Sequence, residues 1–266
     1  MAEMPLEQAW PTLFTRTEQR LLFRANDPAT SLRSRQGLPC SSDAAEPVWY
    51  VADGFLGHYQ SDRAGRRQCV GISVPGDFVG LSALMLGRSD RETEALGPAL
   101  LRPLPAARLR TLEGAAPETF GKLWQVSLID SAISRYWIYR IGRLGGRARI
   151  ANFLAEMLMR LHARGLCGLD GVDLPLTQTD LAEACGMTPV HVNRMLGELR
   201  QDGICTLTHG TLRIDRLAEL FRIGQFRWDY LHLGRDLDGE IRGRLRGVTG
   251  VGPPVLRTDM GRGIPP

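Results

Sequence analysis

The residues best placed to do chemistry lie in one stretch, LTQTDLAEACGMTPVHVNRMLGELRQDGI, from Leu176 to Ile204. None of them is a nucleophile backed by a base. They are hydrogen-bonding side chains at helix starts and on one helix face. Arg194 can meet guanine O6 and N7 with both arms, and Asn193 can meet adenine N6 and N7 in the same way. Thr177, Gln178 and Thr179 stand at one helix start and Thr188 at another, where hydroxyls and free N–H groups suit a phosphate oxygen. Val190 and His191 flank the reading pair, and His209 sits at a turn beyond it. This is the chemistry of recognition rather than of bond breaking.

The elements that must hold these residues can be read from the same stretch. Thr177 with Asp180 three residues on is a variant of the capping box and starts a helix. Leu181, Ala182 and Cys185 face inward, and Gly186 suits a left-handed helix end. Thr188 caps a second helix with Pro189 at its first position. Val192, Met195, Leu196 and Leu199 form its buried face. Val190, Arg194, Gly197 and Gln201 lie opposite, flanked by His191 and Asn193, and Gly203 ends the helix. Two short helices around a tight glycine-containing turn make a helix-turn-helix. Ile204 to Thr208, the His209-Gly210 turn and Thr211 to Ile214 make a hairpin, or wing. A recognition helix reads the major groove with its N-terminal outward residues, so this unit implies double-stranded DNA as the partner.

The rest of the chain reads as follows. Residues 1–40 are a helical segment and loop with a loose apolar face of Leu13, Phe14, Leu21, Leu22 and Phe23. Residues 47–112 read as short strands with turns at Asp53-Gly54, 61–66 and Pro75-Gly76-Asp77, the pattern of a small barrel or jelly roll; Phe78 to Leu86 reads as a short helix. From 118 to 141, Leu123, Val126, Ile129, Ile133, Trp137 and Ile141 recur at helical spacing. That helix is about 36 Å long, more than a small barrel can cover, and its stripe reads as a dimer seam. Gly142, Gly145 and Gly146 form a joint, and Arg149 to Leu161 is a second amphipathic helix. Residues 165–175 are a loop. The expected organisation is α+β: an N-terminal antiparallel β-roll with a long dimerisation helix over 1–142, a winged helix-turn-helix over 143–222, and a largely disordered tail over 223–266.

Composition narrows the function classes. At roughly 150 residues per domain, 266 residues are about two domains. The net charge is +4, and Lys122 is the only lysine among 33 basic residues; such arginine usage reads as compositional bias. The helix-turn-helix stretch 176–220 is itself net acidic. The basic excess lies in 131–164, where seven arginines (135, 140, 143, 147, 149, 160, 164) face only Glu156; most are expected on solvated helix faces. No apolar run is long enough to span a membrane, and the acidic N-terminus lacks the apolar core of a signal peptide, so a cytoplasmic protein is expected. Cys40, Cys69, Cys167, Cys185 and Cys205 are scattered with no CxxC, which excludes a zinc ribbon or disulfide framework. No G-x-S-x-G, HExxH, P-loop or G-x-G-x-x-G is present, so no enzyme is expected.

The segment TQTDLAEACGMTPVHVNRMLGELRQDGICTLTHGTLRI resembles the winged helix-turn-helix of the Crp/Fnr transcription regulators. VWYVADGFLGHYQSDRAGRRQCVGISVPGDFVGL (48–81) resembles that family's cyclic-nucleotide-type β-roll, and the helix 118–141 sits where its dimerisation helix sits. The resemblance implies a homodimeric regulator on a palindromic operator, under allosteric control of the sensor, with RNA polymerase as a further contact. Arg194 falls on the family's base-reading arginine, Thr177 and Thr188 on its helix caps, and His209-Gly210 on its wing tip. The family's cytosine-reading glutamate is replaced by Val190, which suits a thymine methyl, and the arginine ahead of it by Pro189. TPVHVNR therefore reads as a subgroup variant.

In the sensor, Gly80 and Arg91 are the ligand-binding candidates. The family's ribose-holding glutamate is Leu81 here, and its phosphate-binding Arg-Ser pair is Arg91-Glu92, so a cAMP-class ligand is not expected. The N-terminal cysteine cluster of the family's oxygen sensors is absent, since Cys40 stands alone. His58, Cys69 and Cys40 leave a haem open, and Cys69 is expected to be inert core rather than a reactive thiol. No metal and no resident cofactor are expected. The alternatives are a sensor of haem-bound gas or redox state, or a ligand-free regulator gated by protein contacts.

Overall fold

The computed structural model describes residues 3–39, 47–87 and 92–245. Cys40 and Arg91 lie outside the described residues.

Two short helices open the chain, α1 (Leu6–Ala9) and α2 (Arg16–Leu22). Thr15 and Glu18 close a reciprocal capping box at the start of α2. Strands β1 (Thr30–Leu32), β2 (Val48–Asp53), β3 (Leu56–Ser61), β4 (Arg67–Ser73) and β5 (Phe78–Val79) follow. Helix α3 (Leu81–Leu86) precedes β6 (Glu92–Ala95) and β7 (Ala99–Leu104). They form two antiparallel sheets, ordered β1-β7-β2-β5 and β4-β3-β6, the expected β-roll. Leu32, Trp49, Val51, Leu56, Ala95 and Leu101 pack between the sheets. β1 and β6 were not legible from the sequence: Thr30–Leu32 is only three residues, and Glu92–Ala95 is polar at its first positions.

The strand reading of 47–112 fails at its end. Residues Ala106–Ala115 form helix α4. Leu109 and Leu112 are buried one turn apart, and Arg108 is held by Asp27 and the Leu22 carbonyl.

Helix α5 runs over Pro117–Arg143 and corrects the expected dimer seam. Leu123, Val126 and Trp137 are buried within the protomer, and Ile133 is half-buried against the core around the next helix. A second apolar stripe is exposed instead: Trp124, Leu128, Ile138 and Tyr139, with Leu128 66% and Ile138 73% exposed. The helix has two apolar faces, and its own domain takes the denser one.

Helix α6 (Gly146–Ala163) is buried on every side from Ile150 to Leu161, so the amphipathic reading of it is also corrected. It is the centre of the largest core. The charge it carries is enclosed with it: Arg140 of α5 and Glu156 are fully buried and paired at 3.0 Å, and Arg160 and Arg164 are buried as well. These arginines are not on solvated faces.

The DNA-binding unit comprises β8 (Gly171–Asp173), α7 (Gln178–Cys185), α8 (Pro189–Gln201), β9 (Cys205–Thr208), β10 (Thr211–Ile214) and α9 (Leu217–Ile223). β8 lies in the expected loop and pairs with β10, making the wing three-stranded in the order β8-β10-β9.

The tail is ordered as far as it is described. Beyond α9 the chain passes close over α6 at Gly224, where a Cβ would come within 2.7 Å of the Asn152 amide nitrogen. It then makes a short 3-10 turn (Asp229–Leu231) and helix α10 (Arg235–Arg244). Phe226, Trp228, Leu231, Ile241 and Leu245 join the large core. The Tyr230 ring stacks on Tyr136 with centroids 3.8 Å apart, and its hydroxyl donates to Glu156 at 2.7 Å. The expected disorder of the tail is therefore corrected for 223–245; residues 246–266 lie outside the described residues.

Candidate nucleic-acid interface

Each local signal in the helix-turn-helix has its structural counterpart. The Thr177 side chain accepts from the Asp180 amide while Asp180 accepts from the Thr177 amide. Gly186 ends α7 with φ +58°. Thr188 caps α8, accepting from the His191 amide at 3.3 Å, with Pro189 leading the helix. Val192, Met195 and Leu199 are buried, and Leu196 packs half-buried against the same core. At the wing tip His209 has φ +51° and Gly210 φ +82°. Positive φ at both central residues is the two-residue hairpin turn whose twist matches the flanking strands.

The outward face of α8 carries Val190, 80% exposed, with Asn193 and Arg194 also exposed. Asn193 donates to Gln178 at 2.6 Å, tying the two helix starts together. Arg194 lies 3.5 Å from His191 Nε2. His191 departs from the wheel: it is half-buried beside Gly146, where a Cβ would meet its Nε2 at 2.6 Å. Its ring is packed against the start of α6 and lies within reach of Arg194. Gly197 has nothing within 4 Å of its Cβ position, so α8 can approach a surface closely there. Thr179, Thr188 and His209 are exposed. The surface offers the Arg194 guanidinium, the paired amides of Asn193 and Gln178, the apolar Val190 and the threonine hydroxyls.

The Thr177 end of α7 is engaged within the chain. Arg35, from the loop after β1, holds the Asp180 carboxylate with both arms at 2.6 and 2.7 Å and reaches the Thr177 hydroxyl at 3.5 Å. Burial pushes the Asp180 carboxyl up, but the Arg35 and Thr177 hydrogen bonds outweigh it and hold it below 3.8. Arg67 of β4 bridges Glu183 and Glu94, each at 3.0 Å, and stacks over Tyr59 at 4.1 Å. The neighbouring Gln68 amide donates to the Glu183 carbonyl. The first helix of the DNA-binding unit is thus docked on the β-roll. Neither Arg35 nor Arg67 was legible as functional: each pairs with a residue more than a hundred positions away.

In the sensor half, Gly80 has φ +91° and stands at the start of α3 in a left-handed conformation that favours glycine. Leu81, Leu84 and Met85 lean on Phe120, Leu123 and Trp124, leaving a space of about 10 Å³ between them, room for a single water at most. Leu81, at the position where the resemblance puts a ribose-holding glutamate, offers no hydrogen bond to a sugar hydroxyl. His58 is buried with Nδ1 2.9 Å from Thr93 Oγ1 and Nε2 2.8 Å from Ser73 Oγ, so both ring nitrogens are engaged. Burial pushes the Cys69, Cys185 and Cys205 thiols up to about 12, far from the thiolate that redox chemistry needs. Among the described residues, no three His, Cys, Asp or Glu side chains cluster as a metal site, and no helix is long and apolar enough to cross a membrane.

A β-roll joined by a long helix to a winged helix-turn-helix defines a class of DNA-binding regulator, and comparison with known proteins agrees. Residues 148–223 match the Crp-like helix-turn-helix domain. The transcriptional activator protein FnrL of Cereibacter sphaeroides is 30% identical over 185 residues, covering 66% of this chain and 72% of that protein. The anaerobic regulatory protein of Aggregatibacter actinomycetemcomitans is 23% identical over 206 residues, 77% of this chain and 74% of that protein. Among solved structures, FixK2 from Bradyrhizobium japonicum superposes with a TM-score of 0.63 at 24% identity, covering 74% of this chain and 96% of FixK2. The chain belongs to the Crp/Fnr family of transcription regulators.

Proposed function

We propose that this regulator binds a two-fold symmetric operator as a homodimer formed along the exposed stripe of α5. The observation that carries this is the pairing of two exposed faces: Val190, Asn193 and Arg194 on α8, and Trp124, Leu128, Ile138 and Tyr139 on α5. A large apolar stripe on a helix between two domains is costly to leave in water. Two copies joined there would carry two recognition helices to successive major grooves, about 34 Å apart.

Within each half-site Arg194 would read guanine, Asn193 adenine and Val190 a thymine methyl. Thr179, Thr188 and His209 would meet phosphates. Thr177 and Gln178 would join them once α7 is released from Arg35. Val190 in place of an acid is why TPVHVNR is read as a subgroup with its own half-site. Control would come through the α7 docking surface, since a sensor that moves β4 or the Arg35 loop moves the helix-turn-helix with it. The space at Leu81 argues against a cyclic nucleotide as the signal, and the engaged ring of His58 argues against haem. Work in the cytoplasm and contact with RNA polymerase follow from this reading.

Selection of bound duplexes from a random pool tests it. The expected product is a palindrome with half-site centres one helical turn apart. Equal affinity for random and selected duplexes at physiological salt overturns sequence-specific binding. Ile138→Asp is expected to give a folded monomer by light scattering that loses operator binding; a dimer that persists in this variant overturns the α5 interface.

A further inference from the structure

Two primary amides meet across the turn between α7 and α8. Asn193 Nδ2 donates to Gln178 Oε1 at 2.6 Å, between residues fifteen positions apart in the chain. Both side chains are exposed, and holding an exposed side chain costs rotamer freedom that one hydrogen bond barely offsets. Here the backbones beneath both are already fixed. Gln178 is the first residue of α7, and the Thr177–Asp180 capping box holds that turn, with the Thr177 amide and hydroxyl each 2.7 Å from the Asp180 carboxylate. This box lies within α7 and moves with it, so the pair does not depend on the Arg35 contact. Asn193 follows Val192, which is fully buried, in α8 just beyond its Thr188 cap. What remains to be set is the rotation of the two side chains.

The side that each amide turns to the other decides what it shows to a ligand. A carboxamide has two N–H donors and one oxygen. Bidentate reading of adenine uses the oxygen, accepting from N6, and one N–H, donating to N7. The bond to Gln178 needs a single N–H and leaves the Asn193 oxygen and the second N–H for a base edge. Turning the Asn193 amide over would set its oxygen against the Gln178 oxygen, two acceptors with no proton between them. Gln178 is sorted in turn by what lies on its far side. With Oε1 given to Asn193, Nε2 is the end left for a neighbour, and a phosphate oxygen accepts from an N–H and repels a carbonyl.

We propose that Gln178 is the positioning residue for base reading by Asn193: its side-chain oxygen fixes which way the Asn193 amide faces, while its Nε2 takes a phosphate of the same half-site. The backbone contact then selects the base contact. Away from a phosphate both amides can turn over together; beside one, a single arrangement satisfies every donor and acceptor. The proposal rests on the reading of α8 as the recognition helix. It adds to that reading a residue that touches no base yet sets discrimination at one base pair. Arg194 has its own neighbour in His191, so the effect is confined to the position that Asn193 reads.

The test uses the full chain and an operator selected from a random pool, with affinity for each single-base-pair variant read by fluorescence anisotropy. Asn193→Ala first marks the base pair that Asn193 reads. At that pair Gln178→Met, which keeps the length and loses the acceptor, is expected to reduce discrimination about three- to tenfold. Discrimination at the pair marked by Arg194→Ala and the unfolding midpoint are expected to stay unchanged. Gln178→Glu keeps an acceptor toward Asn193 and is expected to retain the discrimination, with binding weakened on every duplex by its charge beside the phosphates. In an Asn193→Ala background Gln178→Met is expected to change discrimination nowhere. The proposal is overturned if Gln178→Met discriminates like the wild type, or if it relaxes both marked pairs alike, as fraying of the helix-turn-helix would. It is equally overturned if Gln178→Glu loses discrimination as Gln178→Met does, or if Gln178→Met acts in the Asn193→Ala background as it does alone. It also falls if Asn193→Ala relaxes no base pair; that outcome removes the base-reading role of Asn193 itself, whereas the others leave it standing.

Discussion

Two sets of arginines divide this molecule. One is the dense run in α5 and α6, where seven arginines face a single acid over 131–164. The other is sparse: Arg194 on α8, in a unit that is net acidic. Charge density alone would assign the first set to DNA. The structure puts Arg140, Arg160 and Arg164 in the interior, paired with Glu156 and Asp77, and leaves Arg194 in solvent at the start of a recognition helix. A guanidinium carries the same charge in both places. Its partners decide whether it is enclosed in the core or left facing solvent.

Glu156 is the most sensitive point of the buried set. It receives Trp137 Nε1 at 2.8 Å, Arg140 at 3.0 Å and the Tyr230 hydroxyl at 2.7 Å. Glu156→Ala leaves a buried arginine uncompensated, and denaturant unfolding should show a loss of about 3–5 kcal/mol. A loss under about 1 kcal/mol would mean the cluster is solvated and that the two arginine sets are alike. Arg194→Ala probes the other set. Operator affinity should fall by about 1–3 kcal/mol, with discrimination relaxed at one base pair per half-site and unfolding unchanged. A uniform loss across all sequences would make Arg194 a phosphate contact instead.

Smaller effects sharpen the boundary between the two sets. Thr188→Ala removes the cap of α8 and should cost about 1 kcal/mol of stability, read by thermal unfolding, and should weaken operator binding as the reading face frays. Asp27 gives a pH signature on the sensor side. Its hydrogen bond from Arg108, working against burial, holds its carboxyl at about 2, below the ordinary 3.8. A depressed folded pKa contributes stability that is present above the unfolded value and lost as the pH falls. The Asp27 contribution should therefore hold above pH 4 and disappear between about pH 4 and pH 2. Asp27→Asn should flatten acid unfolding in that window alone.

The helix-turn-helix was legible residue by residue because its signals are local. A cap and its partner lie three residues apart, Pro189 and Gly186 act on their own dihedral angles, and the wing turn needs only His209-Gly210. The β-roll was legible as a pattern of short strands, although α4 was read as strand and β1, β6 and β8 were missed. Those elements are short, and tertiary packing rather than propensity forms them.

The face of α5 that would meet a second copy was misread for a different reason. Periodicity detects an apolar stripe but not what covers it, and α5 has two. The tail was misread because Phe226, Trp228, Leu231 and Ile241 follow no single period; they pack because Gln225, with φ +47°, turns the chain and Gly224 lets it lie close on α6.

The caps, the turn and the outward triad of α8 are written in the local sequence, because backbone propensity and capping act over a few residues. Where the charge goes is settled by long-range packing. The pairs Arg35–Asp180, Arg67–Glu183 and Arg164–Asp77 join positions 145, 116 and 87 residues apart. The energy of such a pair depends on burial and geometry that no local pattern encodes.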